Sequence, residues 1–319
     1  MDYLGIDIAK DTFQAALLGD GQRCRSRSFP NTHQGFVSLI EWLGKMTARQ
    51  VHVAMEATGG FEEPLAVWLY DQGFRVSVIN PMLVKNFAKS LGLRAKTDAV
   101  DARLIARYVQ THKPRAWKPD PREIRQLRAL LRRIKALEKM RRQELNRALH
   151  PGVPVIEQQL KAHATYLEQS ISQLWTAVQD HIRRHARLRE QQQLLMTIPG
   201  ISQVASAWLL GEIPFHRFNH ARQAAAFAGV VPHLQTSGTS LNTSRMSKRG
   251  NRHIRGVLYM PAISAMSWNP AIKAQAQRLR ARHKPGKTIT VAAIRKLIHI
   301  AFGVIHSGMP FDPKKAMAS

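Results

Sequence analysis

The stretch DYLGIDIAKDTFQAALL, residues 2–18, decides the fold of the first part of the chain. Its apolar residues first alternate with other residues and then run together, a pattern that is typical of two neighbouring strands. Asp7 stands near the end of the first strand, where burying a carboxylate is costly unless it is paired or binds a metal. The position of this acid therefore predicts a functional role.

Helices and strands alternate beyond this strand pair. The predicted elements are a helix at 33–44, a strand at 51–55, a helix at 64–72, a strand at 75–79 and a helix at 82–90. Such alternation indicates an α/β domain with a mixed sheet. We assign this domain to residues 1–118.

A charged helical region follows at residues 119–190. Its apolar residues recur at spacings of three, four and seven from Ile124 to Leu145, and Pro151 and Pro154 divide it into two long helices. We expect a coiled-coil arm that serves as a spacer, as an oligomerisation element or as a helix lying along a phosphate backbone. Residues 191–319 are predicted to form a mainly α-helical C-terminal domain.

The charge balance points to a nucleic-acid partner. Lys and Arg number 48 against 21 Asp and Glu, which gives a formal charge of +27, and a polyanion normally compensates such a surplus. From Gln191 to Ser319 the only acids are Glu212 and Asp312, against seventeen Lys and Arg. Chemistry that needs clustered carboxylates must therefore lie in the first half. We find no apolar stretch near 20 residues and no N-terminal signal, so we expect a cytoplasmic location and no membrane partner.

Four acids of the first domain are candidate metal ligands and catalytic residues. Glu56 follows the predicted strand at 51–55, and Asp98 and Asp101 lie three residues apart on one helix face. Each acid alone fits a capping or surface role. Together with Asp7 they could hold a pair of Mg²⁺ ions for attack on a phosphodiester. Lys96 and Arg103 of the same segment are predicted to contact nucleic acid.

Two segments of the C-terminal domain carry candidate phosphate contacts. The turn TIPGIS, residues 197–202, is typical of a helix-hairpin-helix element, in which Gly200 and Ser202 would approach a phosphate. Ser237 precedes Gly238, and the cations that follow are predicted to bind nucleic acid: Arg245, Lys248, Arg249 and Arg252. This second segment is either a phosphate-binding loop or the site of a nucleophilic serine.

Four motifs in order resemble those of the DEDD-type insertion-sequence transposases. They are GIDIAK around Asp7, MEATG around Glu56, VINP at 78–81 and KTDAVDA at 96–102. The resemblance implies a ribonuclease H-like N-terminal domain, similar to the Holliday-junction resolvase RuvC. It also implies that Asp7, Glu56, Asp98 and Asp101 hold magnesium.

The resemblance has further implications for mechanism and partners. The family's C-terminal domain carries a nucleophilic serine just upstream of an RMSK stretch, which Ser237 matches, with Ser240 as its nearest competitor. Thr236 stands where the family usually has a glutamate. A bridge RNA, a non-coding RNA that pairs with target and donor DNA, is the implied guide. Strand exchange between two duplexes needs several active sites, so we expect a homodimer or tetramer.

Two other functions are compatible with the same residues. A junction-resolving nuclease would use only the carboxylates, and Ser237 would then be dispensable. A non-catalytic nucleic-acid-binding protein would need neither centre, and metal-dependent strand cleavage would exclude it.

Overall fold

The computed structural model describes residues 1–19, 24–92, 98–150, 152–237, 241–246 and 250–318, with the side chains of all of these except 98–99, 232–237, 241–246 and 318. The chain divides into two units, Met1–Pro119 and Asp120–Ser319. The predicted arm and the predicted C-terminal domain both lie in the second unit. Their separation into two domains stays a prediction.

The first unit contains a five-stranded mixed sheet, which confirms the mixed α/β prediction. Its strands are β1 (Asp2–Ile8), β2 (Thr12–Leu18), β3 (Cys24–Pro30), β4 (Val51–Glu56) and β5 (Arg75–Ile79). The strand order is β3-β2-β1-β4-β5, with β1, β2 and β3 antiparallel and with β4 and β5 parallel to β1. The carboxyl ends of β1, β4 and β5 therefore meet at one edge of the sheet.

Helices cover both faces of this sheet. They are α1 (His33–Leu43), α2 (Glu63–Asp71), α3 (Pro81–Ser90) and α4 (Asp98–His112). One core joins Leu4, Ile6 and Met55 to α1 and α2. A second core joins Ala54 and Ile79 to α3 and α4. Successive residues of a strand face opposite sides of a sheet, so this sorting fixes which strand residues face α4.

The second unit begins with a long helical hairpin. Helix α5 (Arg122–Arg147) and helix α6 (Pro154–Arg184) are antiparallel, since His181 Nε2 lies 2.8 Å from the backbone oxygen of Glu123 and Arg141 pairs with Glu168 at 3.1 Å. Pro154 stands in the first turn of α6, where its missing N–H costs no hydrogen bond. The two-helix division predicted from the prolines is confirmed. A coiled coil between subunits stays a prediction.

The remainder of the second unit is mainly helical, but it also contains a β-hairpin that the sequence pattern did not predict. The helices are α7 (Ala186–Met196), α8 (Gln203–Glu212), α9 (Ala221–Phe227), α10 (Arg252–Val257), α11 (Tyr259–Trp268), α12 (Pro270–Ala281), α13 (Gly286–Ser307) and α14 (Pro313–Ala318). The hairpin pairs β6 (Pro232–Ser237) with β7 (Leu241–Met246). One core joins Leu127 and Leu131 of α5 to the C-terminal helices.

Within the described ranges, α13 is the one helix whose length and composition would allow it to span a membrane. About half of its apolar window is buried, at 56%. Ile294, Leu297 and Ala301 belong to the core that the second unit shares. Its apolar character is therefore explained by packing within the protein.

Candidate active sites

Asp7 and Glu56 lie at the carboxyl ends of adjacent parallel strands. The register pairs Gly5 with Ala54 and Ile6 with Met55, so Asp7 and Glu56 follow at the same level of β1 and β4. Alternation along a strand puts Asp7 on the face of Gly5 and Glu56 on the face of Ala54. That face is the one that packs against α4. Both carboxylates are half-buried and both interact with other groups of the chain.

Gly5 sets how closely α4 approaches these acids. A Cβ at this position would lie 2.1 Å from the backbone oxygen of Ala102 and 2.3 Å from the backbone nitrogen of Ala106. Helix α4 therefore rests directly on the backbone of β1. Asp101 directly precedes Ala102 in the first turns of α4. Asp7 stands two residues after Gly5 on β1. The glycine in the GID motif thus brings the start of α4 toward the two strand ends.

The carboxylates Asp7, Glu56 and Asp101 fit magnesium in the chemistry of their donors, because hard cations prefer carboxylate oxygens. Among the described side chains, however, no group of three or more His, Cys, Asp or Glu is close enough to hold a metal ion. The side chain of Asp98 lies outside the described residues, as does Lys96. Arg103 is exposed on α4. The four-carboxylate metal centre therefore stays a prediction.

The candidate nucleophile Ser237 is the last residue of β6. Its backbone pairs with Leu241, whereas the sequence interpretation placed this serine in a loop. That expectation was wrong in its local structure, because a short polar hairpin has no apolar alternation to reveal it. Arg245 lies in β7, opposite His233. The side chains of Ser237 and Arg245, and all of Lys248 and Arg249, lie outside the described residues.

A cation-lined cavity is formed by residues that flank the hairpin in sequence together with Arg132 of α5. It measures about 570 Å³ and is lined by Arg132, Ala226, Phe227, Gly250, Asn251, Arg252 and His253. Burial lowers the pKa of His253, and the charges of Arg132 and Arg252 lower it further against the opposing charge of Glu212. This environment therefore favours the neutral imidazole, which lies beside the two guanidinium groups of the lining. Such a lining suits a phosphodiester, with a proton acceptor beside it.

A buried acid holds this cavity wall in place. Arg132 donates to the Glu212 carboxylate through Nε at 2.8 Å and Nη2 at 3.1 Å, and Asn251 Nδ2 donates to it at 2.6 Å. Burial alone would raise the pKa of Glu212, but the hydrogen bonds from Arg132 and Asn251 outweigh burial and lower it. Glu212 is thus a charged anchor with its oxygens engaged. Glu212 is the one acid that precedes Ser237 in residues 191–319, and it was therefore the nearest candidate to accept the proton of that serine. Its contacts with Arg132 and Asn251 give it a structural role instead.

Arg132, Asn251 and His253 were missed by the sequence reasoning. Asn251 also caps α10, because its Oδ1 accepts from the backbone N–H of His253 and Ile254. The one sequence signal for this cluster was Glu212 itself. A solitary acid in a strongly basic domain predicts a buried cation partner.

Gly200 and Ser202 have structural explanations in the TIPGIS turn. A Cβ on Gly200, whose φ is +100°, would lie 2.7 Å from Cβ of Ala265 and 2.9 Å from its backbone nitrogen. The glycine is thus required by packing against α11, and its contact with a phosphate stays a prediction. Ser202 caps α8 by accepting from the backbone N–H of Ala205 at 3.3 Å. A helix-hairpin-helix function for this turn stays a prediction.

Comparison with known proteins matches both parts of the chain to transposases. Residues 4–150 match the family of DEDD-type IS110 transposases, described as Transposase, and residues 192–277 match the Transposase IS116/IS110/IS902 family. The "Pilin gene-inverting protein" of Moraxella bovis is 33% identical over 319 residues, which cover 98% of each chain. The transposase for insertion sequence element IS1111A of Coxiella burnetii is 25% identical and covers 80% of this chain and 75% of its own. The RuvC structure from Thermus thermophilus aligns with 37% of this chain and 100% of its own, at 16% identity and a TM-score of 0.28.

Proposed function

This chain belongs to the IS116/IS110/IS902 family of transposases, and we propose that it cuts and rejoins DNA through two cooperating chemical centres. One centre is the carboxylate edge of the first unit. The other is the hairpin and cation-lined cavity of the second. The observation that carries the proposal is that β1 and β4 carry Asp7 and Glu56 at the same level of the sheet, while α4 lies directly against β1 at Gly5.

In the first centre, Asp7, Glu56, Asp98 and Asp101 would hold magnesium. Carboxylates that converge without a counter-charge repel one another, so a bound cation would stabilise them. When bound, magnesium supplies charge for a phosphoryl oxygen and for an attacking or leaving oxygen. The fold would position the four carboxylates for the metal. Gly5 supports that positioning, because it allows α4 to lie against β1.

In the second centre, Ser237 would attack the phosphorus of a DNA strand. Its Oγ–P bond forms as the bond from phosphorus to one strand end breaks, and the departing oxygen receives a proton. The energy of the phosphodiester is kept in the phosphoserine, so the strands can be rejoined without ATP. We propose that Arg132 and Arg252 of the cavity lining would stabilise charge on the phosphoryl oxygens in this step.

The basic surplus of the second unit supports binding of DNA and of a non-coding guide RNA. Its two acids after residue 190 are already engaged: Glu212 binds Arg132 and Asn251, and Asp312 caps the backbone N–H of Lys314. The charges of Arg295, Lys296 and Arg222 crowd around His299 and, after burial, lower its pKa. A polyanion would relieve that repulsion. A bridge RNA that pairs with target and donor DNA in the cytoplasm fits this surface, with the chain acting as a dimer or tetramer.

The two centres are tested separately by substitution. Asp7→Asn and Asp101→Asn should abolish magnesium-dependent strand cleavage while circular dichroism and thermal unfolding remain those of the wild type. Wild-type activity in either variant would remove that residue from the centre. An exposed acid on α1, Glu41→Gln, is the control and should retain activity.

Trapping the covalent intermediate tests the serine. The wild-type protein should form a denaturant-resistant DNA adduct that mass spectrometry assigns to Ser237, and Ser237→Ala should bind DNA but form none. The matched control Ser240→Ala should retain the adduct. An adduct on Ser240, or one that persists in Ser237→Ala, contradicts the assignment. Strand cleavage that survives in Ser237→Ala without any adduct would instead favour a junction-resolving nuclease.

Inversion of a DNA segment is a second candidate outcome of the same chemistry. It is favoured by the Moraxella bovis relative, whose name is that of a gene-inverting protein and whose similarity covers nearly the whole chain. A plasmid that carries two copies of the recombination site in opposite orientation distinguishes the outcomes. Inversion yields a plasmid of unchanged size, whereas excision yields two circles.

A further inference from the structure

A second cavity lies in the second unit, away from the hairpin. It is formed where α6, α7 and α8 meet and measures about 500 Å³. Its lining consists of Gln179, Ile182, Arg183, Arg189, Gln192, Gln193, Met196 and Gln203. A cavity of this size lies within the range of about 300–1,000 Å³ that is common for small organic ligands. The proposed cleavage chemistry uses none of these residues.

The glutamines of this cavity form an ordered chain of hydrogen bonds. Gln192 is 7% exposed, and its Nε2 donates to the backbone oxygen of Gln203 at 3.3 Å. Gln203 Nε2 in turn donates to Oε1 of Gln179 at 2.6 Å. Among the described residues, Nε2 of Gln179 and Oε1 of Gln203 make no further hydrogen bond. The hydrogen-bonded pair therefore offers one further donor and one further acceptor.

The rest of the lining combines an apolar contact surface with positive charge. Ile182 is buried in the core, while Met196 is 46% exposed, and thioether sulfur packs favourably on aromatic rings. Arg183 pairs with Asp180, which lies outside the lining. Arg189 takes part in no ion pair among the described residues. The lining contains no carboxylate, so a metal ion is not the ligand it suits.

These three features match a single nucleotide. A donor and an acceptor on neighbouring glutamine amides suit the edge of a base, as in the bidentate contact of glutamine with adenine. The exposed thioether of Met196 suits the face of the base. An arginine without a carboxylate partner suits the phosphate. A base inside a duplex cannot enter such a cavity, so the nucleotide must be unpaired.

We propose that this cavity binds one unpaired nucleotide of the nucleic acid on which the protein acts. The base edge lies on the Gln179–Gln203 pair, its face contacts Met196, and its phosphate is held by Arg189. The inference rests on the proposed nucleic-acid-binding function. It deepens that function by adding a contact that distinguishes a distorted strand from a fully paired one.

Binding of the full-length chain to matched duplexes tests this inference. Two fluorescein-labelled duplexes have the same sequence, but one carries a single bulged adenine, and each is made as DNA and as RNA. Anisotropy titrations give the dissociation constants. The wild type should bind the bulged form about tenfold more tightly, which corresponds to about 1.4 kcal/mol. The form that shows the preference, DNA or RNA, identifies the source of the nucleotide.

Variants of the lining and a matched control on α7 separate the cavity from general electrostatics. Arg189→Ala and Gln203→Ala should lose the preference for the bulge and bind the paired duplex within about twofold of the wild type. Arg187→Ala removes the same charge two residues away on α7, outside the cavity lining, and should keep the preference. In a further readout, 2-aminopurine at the bulge should change its fluorescence on binding to the wild type but not to Gln203→Ala.

Three results would overturn the inference. The wild type could bind bulged and paired duplexes equally, Arg189→Ala could retain the preference, or Arg187→Ala could lose it to the same extent. In each case binding of the paired duplex leaves the proposed nucleic-acid function intact. No binding of either duplex at low salt would instead reject the proposed function, and the inference with it.

Discussion

Replacing Gly5 with alanine would put a methyl group where α4 already lies. The new Cβ would be 2.1 Å from the backbone oxygen of Ala102 and 2.3 Å from the backbone nitrogen of Ala106. Both neighbours are backbone atoms of a helix and cannot rotate away. Since normal contacts of this kind need more than 3 Å, α4 or β1 must move by about 1 Å.

The size of this shift predicts two measurable effects. Overpacking of a well-packed core typically costs about 1–3 kcal/mol of unfolding free energy. A misplacement of about 1 Å in a catalytic group can lower a rate by about 100-fold. Gly5→Ala should therefore unfold at lower denaturant concentration, and its magnesium-dependent strand cleavage should fall more steeply than the loss of folded protein accounts for.

The assay combines chemical denaturation with single-turnover strand cleavage. Gly19→Ala is the control, because the nearest described atom to a Cβ there would be the Oδ1 of Asp2, at an ordinary 3.6 Å. This variant should unfold and cleave like the wild type. If Gly5→Ala keeps wild-type stability and rate, α4 does not rest on β1 as described and the argument for convergence of the carboxylates fails.

Three further predictions follow from the charged and titratable groups. Burial, and secondarily the charge of Arg75, lowers the pKa of His52 from 6.5 to about 4. As pH falls, the unfolded chain therefore takes up the proton before the folded protein does. The unfolding free energy should fall by about 2–3 kcal/mol between pH 7 and pH 4.5. Urea titrations should show this loss, and His52→Leu should reduce it. The pKa of Glu212 is lowered in the folded protein, so its contribution to the unfolding free energy is complete above the pKa of the unfolded chain and is lost as pH falls through the pKa of the folded protein. Glu212→Gln should cost about 1–3 kcal/mol of unfolding free energy at pH 7. The surface pair variant Glu168→Gln should cost only about 0–1 kcal/mol. DNA affinity should fall steeply between 50 and 200 mM salt, by on the order of 10³-fold if six phosphates are contacted, and a flat response would contradict the role of the basic unit.

The sequence alone determined most elements of the first unit and the positions of its acids. Apolar alternation indicated β1 and β2, and the short apolar run at 51–55 indicated β4. Because strand periodicity is local, it also showed that Asp7 and Glu56 follow apolar strand positions. Strand β3 was missed, since it lies at the edge of the sheet and most of its side chains are exposed. An exposed edge strand has no apolar face for a pattern to reveal.

Tertiary structure alone decided the contacts between residues that are distant in sequence. Arg132 and Glu212 are 80 positions apart, and no periodicity links an arginine of the arm to that acid. Gly200 is required by Ala265, a partner that the turn sequence cannot disclose. The glutamine pair at 179 and 203 likewise depends on how α6 and α8 meet. Sequence patterns report which face of an element is apolar, whereas the packing of those faces decides which polar side chains become neighbours.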